Sequence, residues 1–173
     1  HNLIELKKLV KIYYLHYKIF CMEWNGVMPA ITTKFTIDDK LDLDLFNKNL
    51  EFQLKSDVQA IVLAGSLGEA STLSRDEKNI LTKNTVEFVN DKIPVVVNIA
   101  EQSTKEALES VKCAEKYGAS GLMVLPPMRY KSGRNETISY FESIAKSTNL
   151  PIMIYNNPVD YGICLLYTSP SPR

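Results

Sequence analysis

The chain has 173 residues, 45% of them hydrophobic and 23% charged, a composition that fits one globular domain with a real core rather than a disordered chain. Its 20 basic residues balance 20 acidic ones, so nothing in the charge balance supports a nucleic-acid partner. Three scattered cysteines, two histidines outside any Cys/His cluster and no apolar stretch near ~20 residues argue against a disulfide framework, a zinc site and a membrane span, and they fit a reducing compartment.

In residues 1–21, Leu3, Leu6, Val10 and Tyr14 fall near helical spacing with lysines between them. The lysines break the apolar run and no small-residue cleavage site follows, so a signal peptide is a poor reading; a membrane-surface helix has only weak support. Met22 is the first methionine and a strand pattern starts just after it. Translation is therefore expected to begin at Met22, with residues 1–21 an upstream or non-native helical extension.

From there strand and helix patterns alternate. Apolar runs at residues 26–31, 60–64, 94–99, 121–125 and 151–155 show little alternation, as strands buried on both faces do. The first helix is predicted over residues 43–55, with Leu45, Phe46, Leu50 and Leu54 on one face. The second opens on SRDE, whose end residues Ser74 and Glu77 match a capping box; Ile80, Leu81, Val86 and Phe88 supply its apolar positions. The third, residues 104–117, has Ser103 as a hydroxyl cap and Gly118 as a stop, with Cys113 a small core residue. The fourth, residues 136–146, carries Ile138, Phe141, Ile144 and Ala145. After Gly162 the rhythm breaks into ICLLYTSPSPR; residues 164–173 are expected to be artefactual read-through, with a disordered native tail as the alternative.

Strand starts recur every ~30 residues, the size of one βα unit. That rhythm serves either a closed (β/α)8 barrel or an open doubly wound sheet. No G-x-G-x-x-G follows the first strand, which counts against a dinucleotide fold. The barrel leads: an α/β TIM barrel over residues 22–163, truncated after about five βα units, whose unpartnered edge strands should make the piece unstable or sticky alone.

In a barrel, reactive groups sit at the C-terminal ends of strands. Those positions hold Thr32 and Thr33, then Gly65, Ser66, Leu67, Gly68 and Glu69, then Asn98, then Arg129 and Lys131, and finally Tyr155. The glycine-bracketed loop could hold a carboxylate on its N–H groups and the Ser66 hydroxyl, or could be only a tight turn. Glu69 reads as a base or, more ordinarily, a structural cap. Tyr155 reads as a proton shuttle or as a core tyrosine. Arg129 and Lys131 could bind an anion or be merely solvated, and Asn98 is expected to bond backbone rather than substrate.

The segments GSLGEASTLS (residues 65–74), YNNP (residues 155–158) and GVMPAITTKF (residues 26–35) resemble motifs of the dihydrodipicolinate synthase / N-acetylneuraminate lyase family, over roughly residues 22–163. The resemblance implies a cytoplasmic, homotetrameric TIM-barrel lyase without metal or organic cofactor. Its substrate would be a small 2-keto acid, usually pyruvate, bound as a Schiff base on a strand-six lysine that lies beyond this chain's pattern. The protonated imine is an electron sink that stabilises the adjoining carbanion. By resemblance, Ser66 and Leu67 bind the keto-acid carboxylate, Gly65, Gly68 and Glu69 shape that loop, Arg129 stands in the strand-four loop facing the substrate, and Tyr155 and Ser66 relay protons. Without the lysine, the piece itself is expected to be catalytically silent.

Three positions depart from the synthases. Leu67 replaces a second hydroxyl, Arg129 stands where a tyrosine is usual, and Asp160 aligns with the arginine that grips the second substrate's carboxylate. Like charges there would repel. The departures favour a dehydratase, deaminase or aldolase acting on a related 2-keto or cyclic imino acid, such as the hydroxyproline-pathway type. The synthase proper, a non-catalytic keto-acid-binding barrel and an unrelated phosphate-binding barrel remain alternatives.

Overall fold

A computed structural model describes residues 22–127 and 132–162. The expected N-terminal extension, the tail at residues 164–173, and Arg129 and Lys131 lie outside the described residues. Four parallel strands, β1 (Ile61–Leu63), β2 (Val95–Ile99), β3 (Gly121–Val124) and β4 (Ile152–Ile154), stand side by side in chain order. Helices α1 (Leu43–Lys55), α2 (Arg75–Val89), α3 (Thr104–Lys116) and α4 (Arg134–Ser147) alternate with them, and a single turn, α5 (Pro158–Tyr161), follows β4.

Two features separate the barrel from the open sheet. A doubly wound sheet reverses its strand order at a switch point; here the order is sequential. A doubly wound sheet also carries helices on both faces, whereas here they cover one. On the helix side, Ile61, Leu63 and Val95 pack with Phe46, Leu50, Leu81 and Val89, while Val97, Ile99, Leu122 and Val124 pack with Ala107, Val111, Ala114 and Ile144. On the other side, Val62 and Val96 pack with Met22, Ala60, Trp24, Met28 and Met123. Alternate residues of each strand thus serve two apolar environments, which is why the strand runs show no alternation. The helix-free side is the inner wall of a partial barrel.

The helices match their predicted positions, but their buried faces differ in detail. On α1, Phe46 and Leu50 are buried and Leu54 packs beside them, each fully buried side chain contributing roughly 1.5–3 kcal/mol. Leu45, predicted on this face, is exposed, because it lies one residue and so about 100° away from Phe46. On α2, Ile80 and Phe88 are likewise exposed, and Thr82 and Thr85 are buried in their place. Their hydroxyls donate to the carbonyls of Lys78 and Leu81 at 2.8 and 2.7 Å, which satisfies them without an outside partner. Cys113 is only half-buried. Between helices, the half-buried Lys78 ammonium donates to Glu101 at 3.0 Å, and the Ser110 hydroxyl donates to the same carboxylate at 2.9 Å.

The first predicted strand, residues 26–31, is not a regular strand. It makes a single parallel bridge, Ala30 to Val62, with Ile31 N–H donating to the Val62 carbonyl at 3.1 Å and Val62 N–H to the Pro29 carbonyl at 2.9 Å. Pro29 has no N–H to extend the ladder, and Gly26 turns the chain at φ +79°. The segment still lies along the outer edge of β1, where a barrel's first strand belongs.

After β1 the chain turns sharply. Residues Ser66–Gly68 form one 3-10 turn. Gly68 N–H donates to the Gly65 carbonyl at 2.9 Å, and the Gly68 carbonyl accepts the Thr33 hydroxyl at 2.7 Å. A Cβ on Gly68 would sit 2.9 Å from the Ile31 carbonyl, closer than packing permits, whereas a Cβ on Gly65 would meet the Ala30 methyl at an ordinary 3.5 Å.

Two outcomes follow from these contacts. Gly68→Ala is expected to destabilise the fold by about 1–3 kcal/mol through overpacking, and Gly65→Ala by less than about 1 kcal/mol; equal losses in urea unfolding would contradict the assigned contacts. The Ser74 hydroxyl and N–H both donate to the Glu77 carboxylate, at 2.7 and 2.8 Å, and hold its pKa below the ordinary value. Ser74→Ala should cost about 1 kcal/mol at neutral pH. A depressed carboxylate stabilises above its unfolded pKa and loses that contribution as pH falls through the folded value. The difference between wild type and variant should therefore shrink below about pH 4, and a constant difference across that range would refute the assignment.

Candidate active site

The inner wall and the strand ends enclose an open cavity of about 580 Å³. Its wall is apolar: Ala30, Val62, Met123, Leu125 and Met153, with Trp24 and Met28. Its polar groups come from Ser66, Asn98, Tyr155, Asn25 and exposed backbone, and no charged side chain lines it among the described residues. Polar contacts made in such surroundings are less screened than in water.

Ser66 and Leu67 sit on one side of this cavity, on the turn that leaves β1. The turn's backbone hydrogen bonds are donated by Gly68, Glu69 and Ala70. The N–H groups of Ser66 and Leu67, at its start, have no acceptor within it, as at any helical start. Together with the exposed Ser66 hydroxyl they form a small donor cluster suited to a carboxylate. Leu67 is 70% exposed, so its side chain adds an apolar surface at the mouth.

Tyr155 sits across the cavity, directly after β4, with its N–H donating to the Val124 carbonyl at 3.0 Å. Tyr155 is 40% exposed in this chain, where β4 is the edge strand of the sheet. Gly65, Ser66, Leu67 and Tyr155, predicted from two motifs far apart in the chain, thus share one cavity. Gly68 does not line it and acts instead by fitting the turn against Ile31. Thr33 is buried, and its hydroxyl is engaged by Gly68. Glu69 is exposed and does not line the cavity; it closes the turn in the left-handed region, its carbonyl accepting from the Thr72 hydroxyl at 2.9 Å. The helix cap expected of its carboxylate is made instead by Ser74, five residues on. The left-handed conformations expected of the glycines fall instead on Ala64 (φ +52°) and Glu69 (φ +61°).

Two features of the site were not legible as such. Three methionines converge on the cavity from the residue 26–31 segment, β3 and β4, because inward-facing positions of separate strands meet only in the folded sheet. Asn98, expected to bond backbone, does so: its Nδ2 donates to the Ala64 carbonyl at 2.7 Å, yet it also lines the cavity. No group of three His, Cys, Asp or Glu side chains could hold a metal ion among the described residues. Among those residues no helix is long and apolar enough to cross a membrane.

Comparison with known proteins agrees with this architecture. The chain is 38% identical over 140 residues to a 4-hydroxy-tetrahydrodipicolinate synthase of Rickettsia bellii, covering 81% of this chain and 47% of that one. It is 38% identical over 143 residues to 4-hydroxy-tetrahydrodipicolinate synthase 1 of Clostridium acetobutylicum, covering 83% and 48%. The crystal structure of YagE, a prophage protein of the dihydrodipicolinic acid synthase family from E. coli K12 in complex with pyruvate, superposes with a TM-score of 0.79 at 30% identity, covering 82% of this chain and 48% of that one. The chain spans about half the length of the curated relatives it matches, and its fold is the corresponding part of an α/β barrel. The model of the dihydrodipicolinate synthetase family matches residues 23–167, and the chain belongs to that family.

Proposed function

We propose that the complete protein is a lyase that binds pyruvate or a related 2-keto acid as a lysine Schiff base. The observation that supports this most is the meeting of the Ser66–Leu67 donor cluster and Tyr155 on one largely apolar cavity at the strand ends. The pyruvate bound by the E. coli relative fits that reading. The keto-acid carboxylate would accept from the Ser66 and Leu67 N–H groups and the Ser66 hydroxyl. The keto carbon would then face Tyr155, whose phenol would pass a proton to the hydroxyl leaving as water when the imine forms. By the family resemblance, the nucleophile would be a lysine on the strand that follows β4 in the complete barrel. The chain as given would be inactive. Cytoplasmic location, a homotetramer and independence of metal or organic cofactors are further parts of this proposal.

The second substrate is where this chain would part from the synthases among its relatives. Leu67 offers only its N–H to a proton relay, which leaves Ser66 and Tyr155 to act as a pair. By the resemblance, Asp160 would take the place of the arginine that grips the second substrate's carboxylate in the synthases, where like charges would repel. These substitutions favour an aldolase, dehydratase or deaminase on a different acceptor or imino acid over the synthase reaction itself.

Borohydride reduction of the complete protein with pyruvate and a panel of 2-keto acids should leave one covalent adduct per subunit by mass spectrometry. No adduct with any of them would defeat the Schiff-base reading. Keto-acid binding without an adduct would point to a non-catalytic barrel. Tyr155→Phe should lower turnover by on the order of 100-fold with an unchanged unfolding midpoint, whereas near-normal turnover would remove Tyr155 from the mechanism.

A further inference from the structure

Asn98 is the polar residue of an otherwise apolar strand, VVVNI, and it is only 3% exposed. It shares the inner face with Val96, two positions earlier, and faces the cavity there. Its Nδ2 reaches across to β1 and donates to the Ala64 carbonyl at 2.7 Å, while its Oδ1 is buried without a hydrogen-bond partner among the described residues. Turning the amide over would set oxygen against oxygen, so the observed orientation is the one its chemistry requires. A buried amide kept half-unsatisfied costs stability; a hydrophobic residue of similar size would pack here without that cost.

The recipient explains its retention. Ala64 is the last residue before Gly65, and the register of β1 with β2 ends one step earlier, at Leu63 with Val97. At φ +52°, Ala64 holds a left-handed conformation that an L-residue with a Cβ disfavours. The direction in which the chain leaves it decides where the N–H groups of Ser66 and Leu67 point.

We infer that Asn98 is a positioning residue: by clamping the Ala64 carbonyl it fixes the left-handed turn that aims the Ser66–Leu67 donors at the substrate carboxylate. This inference rests on the reading of that turn as the keto-acid carboxylate site. Asn98 touches no reacting atom and acts through the turn, so its loss weakens keto-acid binding more than it slows imine formation at saturation.

The test is the keto-acid concentration that gives half-maximal borohydride trapping in the complete protein, measured across pH with pyruvate or whichever acid traps best. Asn98→Leu should raise it roughly tenfold, with the saturated trapping rate within about threefold of wild type. Asn98→Asp adds a signature that a packing role would not produce. When protonated, the substituted carboxyl can still donate to the Ala64 carbonyl; when ionised it repels it. The half-saturating concentration should match wild type at low pH and climb above it as pH rises. Should Asn98→Leu fail to fold, the low-pH limit of Asn98→Asp decides: there the neutral carboxyl repels no substrate, so half-saturation at the wild-type value supports the clamp and a raised value overturns it. Variants that match wild type at every pH, or that lose trapping only in proportion to lost folded protein, overturn the inference while leaving the carboxylate site standing. Wild-type protein that binds no 2-keto acid overturns the carboxylate site and this inference together.

Discussion

Parallel pairing in chain order is the constraint on which the rest of the structure depends. Leu63 pairs with Val97, Val97 with Leu122 and Leu122 with Ile152, so each strand is held by its immediate successor. Evenly spaced parallel hydrogen bonds keep the strands in step. Their C-terminal ends therefore arrive together at one rim, where Gly65, Asn98, Leu125 and Tyr155 emerge within the lining of one cavity. A slip of one residue in any pair would exchange the inner and outer faces of that strand. The inner wall would lose Val96 and Asn98 to the helix side, and no rim would form.

Packing of the helices on one face enforces the same arrangement from outside. Thr85 and Val89 on α2, Val111 on α3 and Ile144 on α4 are almost wholly buried. Caps at Asp42, Ser74 and Ser103 start α1, α2 and α3 at set points, each accepting from a backbone N–H three residues on. A fixed helix start limits how far the preceding loop can wander. After β1 that loop runs over residues 64–74 and is confined on both sides, by Ile31 and Thr33 from the first segment and by Asn98 from β2. The donor turn is thus held by neighbours from two different βα units, which is what a site needs if its geometry is to survive without a ligand.

Much of this was legible along the chain. The α1 limits, the capping box at Ser74 and Glu77, and the stop at Gly118 are local signals, read from a few adjacent residues whose physics does not depend on the rest of the fold. Buried parallel strands also announce themselves, since both of their faces must be apolar. Local signals failed where a residue's environment is set by a distant partner. Leu45 and Ile80 look like core but face outward, while Thr82 and Thr85 look like surface but are buried, because a helix can absorb their hydroxyls in its own carbonyls. Residues 26–31 have a strand's composition, but Pro29 limits their pairing to one bridge.

The candidate site divides in the same way. Gly65, Ser66, Leu67 and Tyr155 could be nominated from sequence, because their motifs sit at strand ends and a barrel puts such ends to use. By itself the sequence determined the βα rhythm, the helix boundaries and that short set of residues, all of which follow from spacing and local hydrogen-bonding chemistry. Only the tertiary structure decided that the sheet runs in sequential order with its helices on one face. It alone brought residues about ninety positions apart to one cavity and placed the left-handed strain on Ala64 rather than on the glycines. It likewise gave Asn98 a partner 34 residues away. The reason is physical: spacing along a chain limits which groups can meet, but the burial and pairing of the whole sheet select which of them do.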